Sequence, residues 1–173
     1  MEADLSVSGE EMLFVIGIGS DDVGFELKEH VRAALGSDPR VRELRDFGVY
    51  SVEDPAPYPA VGLSVADRVR AGEIDRAILI CGTGIGMAIS ANKVAGVRAT
   101  VAYDHYSVER SVLSNDCQVL CLGSKVATPE LAVRIVTAWL GYRFDPASAS
   151  AAKIDVISDY EKDHLNVGGP VDG

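Results

Sequence analysis

A thiol followed by three alternating glycines is the feature of this 173-residue sequence that most suggests chemistry. The apolar run Ala77–Cys81 ends in the thiol, and Gly82–Gly86 follows it directly. Glycines allow several backbone N–H groups to point at one spot, and a helix beginning near Ile85 would direct its first N–H groups there too. Such a site favours anions, including the thiolate of Cys81. We therefore expect a nucleophile or base beside an anion-binding loop.

This pattern has ordinary alternatives. A single cysteine at the end of a buried strand is commonly inert packing, and glycine-rich loops also bind dinucleotides, for which Asp104 lies at the distance of a ribose-binding acid. The spacing is Gly-x-Gly-x-Gly rather than Gly-x-Gly-x-x-Gly, and it follows the third predicted strand rather than the first. A cysteine phosphatase loop would need an arginine where Met87 stands. The alternating glycines beside the thiol favour a functional Cys81.

Other candidate residues follow predicted strands or lie near the C terminus. Asp21 and Asp22 follow the first strand, where a helix N-cap and its neighbour would be the ordinary explanation. His105 follows another strand, and a solvated loop residue is its ordinary explanation. Lys125 and Lys153 would by default be surface charges. No cluster of histidines, cysteines or carboxylates has metal-ligand spacing, so we predict no metal site.

Strands separated by single helices predict a parallel sheet covered by helices on both faces. The predicted strands are Leu13–Ile18, Val41–Phe47, Ala77–Ile80, Val97–Ala102 and Gln118–Leu122. The predicted helices are Asp22–Leu35, Ala60–Ala71, Ile85–Val94, Ser107–Leu113, Pro129–Leu140 and Ser150–Lys162. Three prolines predict a stiff loop without regular structure around Tyr58. Ligands of such folds bind at the carboxyl ends of the strands.

Composition limits the possible functions. The net charge of −10 argues against nucleic-acid and anionic-membrane partners. Three cysteines, an odd number, without a secretory signal, indicate a reducing cytoplasm. We expect a single domain over residues 12–163, with flexible tails at 1–11 and 164–173.

Several segments together resemble the family of ribose-5-phosphate isomerase B and galactose-6-phosphate isomerase. The resemblance covers about residues 13–162, and its segments are Gly19–Phe25, Tyr58-Pro59, Cys81–Gly86, Ser90–Ala99, Ser107–Asp116 and Val119–Ser124. It implies a Rossmann-like α/β/α sandwich with a five-stranded, mainly parallel sheet. It also implies cofactor-free aldose–ketose isomerisation of a small phosphorylated sugar, in a homodimer or tetramer whose sites are built from both subunits.

By this resemblance, Cys81 is the general base and Thr83 contacts the reacting end of the substrate. Asp21 and Asn115 bind substrate hydroxyls, and Tyr58 lines the pocket. The amides of the glycine-rich segment are suited to stabilise an enediolate oxygen. The residues of that segment are Gly82, Thr83, Gly84, Ile85 and Gly86.

The chain departs from the family pattern at the residues that bind phosphate and at the residue that opens the sugar ring. Asp22 replaces a histidine that contacts phosphate, and Ser114 replaces the histidine assigned to opening the furanose ring. Lysines replace phosphate-gripping arginines, and serines of the segment Asp145–Lys153 add hydroxyl donors. The predicted phosphate-binding residues are Lys125, Lys153, Ser148 and Ser150.

The loss of the ring-opening residue favours a substrate that needs no ring opening. A tetrose 4-phosphate cannot close a furanose, because the required hydroxyl is esterified. We therefore expect an isomerase of erythrulose and erythrose phosphates, as in one branch of the family. Ribose 5-phosphate is the alternative, with His105 replacing the missing histidine. A noncatalytic sugar-phosphate sensor is a third reading, but a sensor has no need of the thiol.

Overall fold

The computed structural model describes residues 13–165, and these contain five strands and six helices. The strands are β1 (Phe14–Ser20), β2 (Val41–Asp46), β3 (Arg76–Cys81), β4 (Ala99–Val101) and β5 (Val119–Gly123). The helices are α1 (Phe25–Leu35), α2 (Tyr58–Arg70), α3 (Ile85–Ala91), α4 (His105–Leu113), α5 (Pro129–Gly141) and α6 (Ala151–His164). Over this part of the chain, no helix is long and apolar enough to cross a membrane.

The strands form one parallel sheet in the order β2-β1-β3-β5-β4. The chain moves outward from β1 to β2 and then returns to place β3 on the other side of β1. The carboxyl ends of β1 and β3 therefore flank a topological switch point, which is where parallel α/β sheets bind ligands. The predicted α/β sandwich is confirmed.

Two apolar clusters hold helices on the two faces of the sheet. Helices α1, α4 and α5 pack on one face, and α2 and α3 pack on the other. The inner strands β1, β3 and β5 are buried along their whole length. Strands buried on both faces need continuous apolar runs, and these runs made the strands recognisable in the sequence.

The expectation of an irregular loop around Tyr58 was wrong, because α2 begins at Tyr58. Pro59 lies in the first turn of this helix, where a backbone N–H has no intrahelical acceptor, so its absence costs nothing. The fixed φ of proline also suits the start of a helix. The prolines therefore begin α2 rather than interrupt it.

Most other element ends differ from the predictions by one to three residues, and two helix starts are informative. His105 is the first residue of α4 rather than a loop residue, because the Asp104 side chain accepts the Ser107 N–H at 2.8 Å and caps the helix. Helix α1 begins at Phe25 rather than Asp22, with Gly24 as its N-cap. The predicted tails lie almost wholly outside the described residues, although α6 extends to His164.

Candidate active site

Strand β3 ends at Cys81, and the chain turns sharply before α3 begins at Ile85. Gly84 in this turn has a φ of +81°, and a Cβ there would lie 3.0 Å from the backbone of Leu122 in β5. A residue with a side chain would meet backbone strain and a steric clash together. The turn therefore packs directly against β5. We call residues Cys81–Gly86 the cradle.

The thiol of Cys81 is held inside the cradle. The backbone N–H of Gly84 donates a hydrogen bond to the Cys81 Sγ at 3.1 Å, and the cysteine is only 5% exposed. The next amide, of Ile85, donates to the Thr83 hydroxyl oxygen at 3.3 Å. An amide donor is the kind of partner that stabilises a thiolate.

The segment after β5 forms one wall of the cradle. The backbone N–H groups of Ser124 and Lys125 donate to the carbonyls of Cys81 and Gly82, at 2.9 and 3.0 Å. The aliphatic stem of Lys125 passes close to Gly82, about 4 Å from where a side chain there would begin. A Cβ at Gly123 would lie 2.5 Å from the Thr83 Cα. The structure thus brings the predicted phosphate-binding Lys125 to the cradle.

The loop after β1 forms the opposite wall. Asp21 is 8% exposed, and its Oδ1 accepts the Gly24 N–H at 2.9 Å. Burial is the main cause that raises the pKa of Asp21, and the charge of Asp22 adds to it. The Asp21 N–H donates to the carbonyl of Ile80 at 3.3 Å, one residue before the thiol. Asp22 itself is exposed and does not cap α1.

Tyr58 reaches the cradle from α2. A Cβ built on Gly86 would lie 2.7 Å from the Tyr58 Cζ, so the ring rests directly on that glycine. Glycine at this position is needed because the aromatic ring occupies the space of a side chain. Tyr58 therefore lies where the resemblance predicts, although its secondary structure was predicted wrongly.

Ser114 and Asn115 lie at the opposite end of the strands, near the residues where β4 and β5 begin. They follow the last residue of α4, and the Asn115 carbonyl accepts from the Arg98 side chain at 2.9 Å, just before β4 begins. Cys81 pairs with Gly123 at the carboxyl end of β5, four residues beyond the start of that strand. Four residues of strand span roughly 13 Å. Within one chain, Ser114 and Asn115 therefore do not join the cradle.

The predicted phosphate-binding residues near α6 are also separate from the cradle. Ser150 is the N-cap of α6 without a side-chain hydrogen bond, Lys153 is exposed, and the Ser148 hydroxyl is buried without a partner among the described residues. Ile157 of α6 lines a cavity of about 470 Å³ together with Asn115. We call Ser114, Asn115, Ser148, Ser150 and Lys153 the α4–α6 group.

His105 does not contact the cradle among the described residues, but a neighbouring tyrosine does. The His105 Nε2 lies 3.3 Å from the hydroxyl of Tyr142 at the end of α5. Tyr103, two residues earlier, donates from its hydroxyl to the Thr83 carbonyl at 2.9 Å. The sequence pattern favoured the histidine of this strand end and gave no role to the tyrosine. Its position could have indicated a role, because Tyr103 follows the carboxyl end of β4 and Cys81 lies at the carboxyl end of β3.

Comparison with known proteins shows the family of this chain. A sequence profile of the ribose/galactose isomerase family matches residues 16–157. The chain belongs to this family. It is therefore an isomerase of phosphorylated sugars, as its fold and motifs predict.

Individual relatives of this family cover nearly the whole described chain. D-erythrulose-4-phosphate isomerase 2 of Mycolicibacterium smegmatis is 54% identical over 150 residues, which are 87% of this chain and 99% of the relative. Ribose-5-P isomerase B of Listeria innocua is 41% identical over 147 residues, covering 85% and 97%. The solved structure of Clostridium thermocellum ribose-5-phosphate isomerase B is 42% identical with a TM-score of 0.80, covering 86% and 97%.

Side chains and backbone amides line the cradle and its walls. Among residues 13–165, no three His, Cys, Asp or Glu side chains group closely enough to hold a metal ion. Asp21 lies on one wall of the cradle and Lys125 on the other. Such an arrangement suits proton transfer and the binding of an anionic substrate.

Proposed function

We propose that this isomerase interconverts an aldose phosphate and a ketose phosphate through an enediolate, with Cys81 as the general base. The observation that carries the proposal is the hydrogen bond from the Gly84 N–H to the Cys81 sulfur. It joins a proton acceptor and an anion-stabilising backbone in one rigid turn. The reaction needs no cofactor, because protons move between neighbouring atoms of the substrate and no electrons leave it.

In this mechanism the Cys81 thiolate removes the proton from the carbon next to the carbonyl. The electron pair of the broken C–H bond forms the C=C bond of the enediolate, and the carbonyl oxygen becomes negatively charged. Cradle amides stabilise that oxygen, which is the role of an oxyanion hole. The thiol then returns its proton to the former carbonyl carbon, and the hydroxyl proton of the neighbouring carbon passes to the charged oxygen.

The walls of the cradle suit the rest of the substrate. The buried Asp21 carboxylate accepts hydrogen bonds from substrate hydroxyls, and a hydroxyl donor there offsets its lost hydration. Thr83 and Tyr58 border the reacting end. Lys125, at the other wall, offers a positive charge for the phosphate.

We propose a four-carbon substrate, D-erythrulose 4-phosphate and D-erythrose 4-phosphate. Two observations support this. Ser114 stands where the family carries a ring-opening histidine, and a tetrose 4-phosphate cannot close a furanose ring. In addition, the 54% identical relative is named D-erythrulose-4-phosphate isomerase 2.

Ribose 5-phosphate is the second candidate substrate. The 41% identical relative is named Ribose-5-P isomerase B. His105, near the carboxyl edge of β4, is then the residue that would open the ring.

We further propose that two chains complete each site in a homodimer or a tetramer. The cradle and the α4–α6 group lie at opposite ends of the strands, and a small sugar phosphate is too short to touch both. A second copy can place its α4–α6 group, with Asn115 and Lys153, over the cradle. Two large apolar side chains of α3 beside the cradle support such a contact, since Ile85 and Ile89 are 56% and 57% exposed.

We propose the cytoplasm as the site of action. Cys81 must remain a free thiol to act as a base, and a reducing compartment preserves it. All three cysteines are free in the structure.

The substrate proposal is tested by measuring kcat/KM with erythrose 4-phosphate and with ribose 5-phosphate. We expect the tetrose to be the better substrate, because an enzyme without a ring-opening group must wait for the scarce open-chain pentose. Ser114→His should raise the ribose 5-phosphate rate several-fold and leave the tetrose rate unchanged. Ser158→His on α6, whose hydroxyl donates to the Ile154 carbonyl, is the matched control. A preference of the unmodified enzyme for ribose 5-phosphate would overturn the tetrose assignment.

A further inference from the structure

Tyr103 is connected to the thiol of Cys81 through a single peptide unit. Its hydroxyl donates to the Thr83 carbonyl at 2.9 Å, and the N–H on the other side of that peptide bond belongs to Gly84. This N–H donates to the Cys81 Sγ at 3.1 Å. The two hydrogen bonds therefore hold the same peptide group from its two sides.

The geometry of a peptide bond makes these two contacts interdependent. The Thr83–Gly84 bond is trans, so its C=O and N–H lie in one plane and point in opposite directions. When Tyr103 fixes the direction of the carbonyl, it also fixes the direction of the N–H. A hydrogen bond accepted by the carbonyl further polarises the N–H and makes it a better donor.

Among the described residues, the directional contacts on this peptide group are the hydrogen bonds to Tyr103 and to Cys81. Gly84 has no side chain that could fix the direction of the peptide plane at this end. Gly123 packs against the Thr83 backbone, but contact with a glycine restrains position more than rotation. The Tyr103 hydroxyl is the directional contact on the carbonyl.

We propose that Tyr103 is a positioning residue for Cys81, which acts by aiming the Gly84 N–H at the sulfur. This inference rests on the proposed role of Cys81 as the base. Tyr103 does not touch the substrate in this scheme. It stabilises the thiolate through the peptide group between Thr83 and Gly84, so its loss should leave less of Cys81 ionised and slow proton abstraction without weakening substrate binding.

Three other titratable residues lie on segments next to Cys81. Asp21 lies after β1, Cys121 lies in the neighbouring strand β5, and Lys125 lies after β5. A substitution at Tyr103 leaves all three unchanged. Burial is the main cause that raises the pKa of Tyr103, so its hydroxyl keeps its proton and remains a donor over the working pH range.

The test compares Tyr103→Phe with the unmodified enzyme, since phenylalanine keeps the ring and removes only the hydroxyl. Iodoacetamide is used to alkylate the protein across a range of pH, and peptide mass spectrometry follows the modification of Cys81 alone. We expect the midpoint of the alkylation profile to move upward by about half to one pH unit. We also expect kcat to fall about three- to tenfold, the scale of one hydrogen bond, with KM nearly unchanged.

Tyr106→Phe is the matched control, because Tyr106 lies three residues further along the chain, is 71% exposed and contacts Arg110 rather than the cradle. It should leave both readouts unchanged. Amide hydrogen exchange at Gly84, measured by NMR, should accelerate in Tyr103→Phe but not in the control. This exchange tests the contact even if the variant is too unstable for kinetics.

An unmoved alkylation profile in Tyr103→Phe would overturn the inference, whatever happens to kcat. A loss confined to KM would overturn it as well. Failure of the proposed function has a different signature: Cys81→Ser would then remain active, while the alkylation profile would still report on the Tyr103 contact.

Discussion

The cradle and the α4–α6 group differ in what holds their residues in place. The cradle is a backbone turn at the end of β3 that packs against the end of β5. Close contacts at glycines and hydrogen bonds from backbone amides hold it in place. The α4–α6 group consists of side chains at the end of one helix and the beginning of another. The side chains of Ser114 and Asn115 bond to Arg110, while the Ser148 hydroxyl has no partner among the described residues.

This difference indicates a division of work between the two regions. Stabilising an enediolate requires donors that are already aimed before the reaction begins, and backbone in a packed turn provides them. Discriminating between sugars requires side chains that can change without disturbing the fold. Several departures of this chain from the family pattern fit that division, because Ser114, Ser148 and Lys153 belong to the α4–α6 group. Two others, Asp22 and Lys125, lie at the walls of the cradle.

The largest effect should come from the cradle. Cys81→Ser should lower kcat by about two to four orders of magnitude, the usual contribution of a general base. Exchange of solvent deuterium into the substrate should disappear with turnover, because both need the same proton transfer. Cys117→Ser, a buried cysteine away from the cradle, is the control and should remain active.

Melting temperatures would show that both cysteine variants are folded. Near-normal turnover by Cys81→Ser would show that Cys81 is not the general base. The cradle would then not be the catalytic region, and the proposed division of work would be wrong.

The second prediction tests whether the two regions meet across a subunit interface. We expect Cys81→Ser and the double variant Asn115→Ala/Lys153→Ala each to be nearly inactive alone. When the two are co-expressed, half of the dimers are mixed, and each mixed dimer has one intact site. Activity should therefore recover to about a quarter of that of the unmodified enzyme.

Tagging the two variants differently allows the mixed dimers to be purified and assayed. If each chain contained a complete site, every chain of a mixed dimer would carry one defect and no activity would return. Coexpression of Cys81→Ser with Cys81→Asn, which spoil the same region, is the control and should show no recovery.

The third prediction separates function from stability at the cradle wall. Because burial raises the pKa of Asp21 in the folded state, the folded protein holds this proton more tightly than the unfolded chain does. The contribution of Asp21 to the free energy of unfolding is therefore fully present below pH 3.8, the pKa of the unfolded chain. It is lost as the pH rises through the higher pKa of the folded protein. Asn cannot ionise and avoids this loss.

Asp21→Asn should accordingly raise Tm at neutral pH by about 2–4 °C, and the gain should vanish in acid. Turnover should fall about tenfold, because the amide replaces a charged acceptor for substrate hydroxyls. Asp22→Asn, at an exposed position, should raise Tm much less, because it removes only a smaller cause of the raised Asp21 pKa, and it should leave turnover nearly unchanged. A variant with normal turnover would show that Asp21 only shapes the loop after β1.

Local patterns were enough to predict most of the fold. Continuous apolar runs revealed the buried strands, and the thiol with its alternating glycines revealed the cradle. The error at Tyr58 arose because proline in a first helical turn and proline in a loop have the same local sequence. The two cases differ in whether the following residues pack on the sheet as a helix, as those of α2 do, and a short segment of sequence does not show this.

The sequence by itself determined the family, the order of strands and helices, and the nature of the reactive groups, since these depend on residue types and near spacing. Only the tertiary structure decided which groups meet. Tyr103 reaches the Thr83 carbonyl from a different strand, and Lys125 lies along Gly82. Asn115 lies at the opposite end of the strands from Cys81 although both belong to the same family motif set. The reason is physical: sheet order and register bring distant segments together, and spacing along the chain does not encode them.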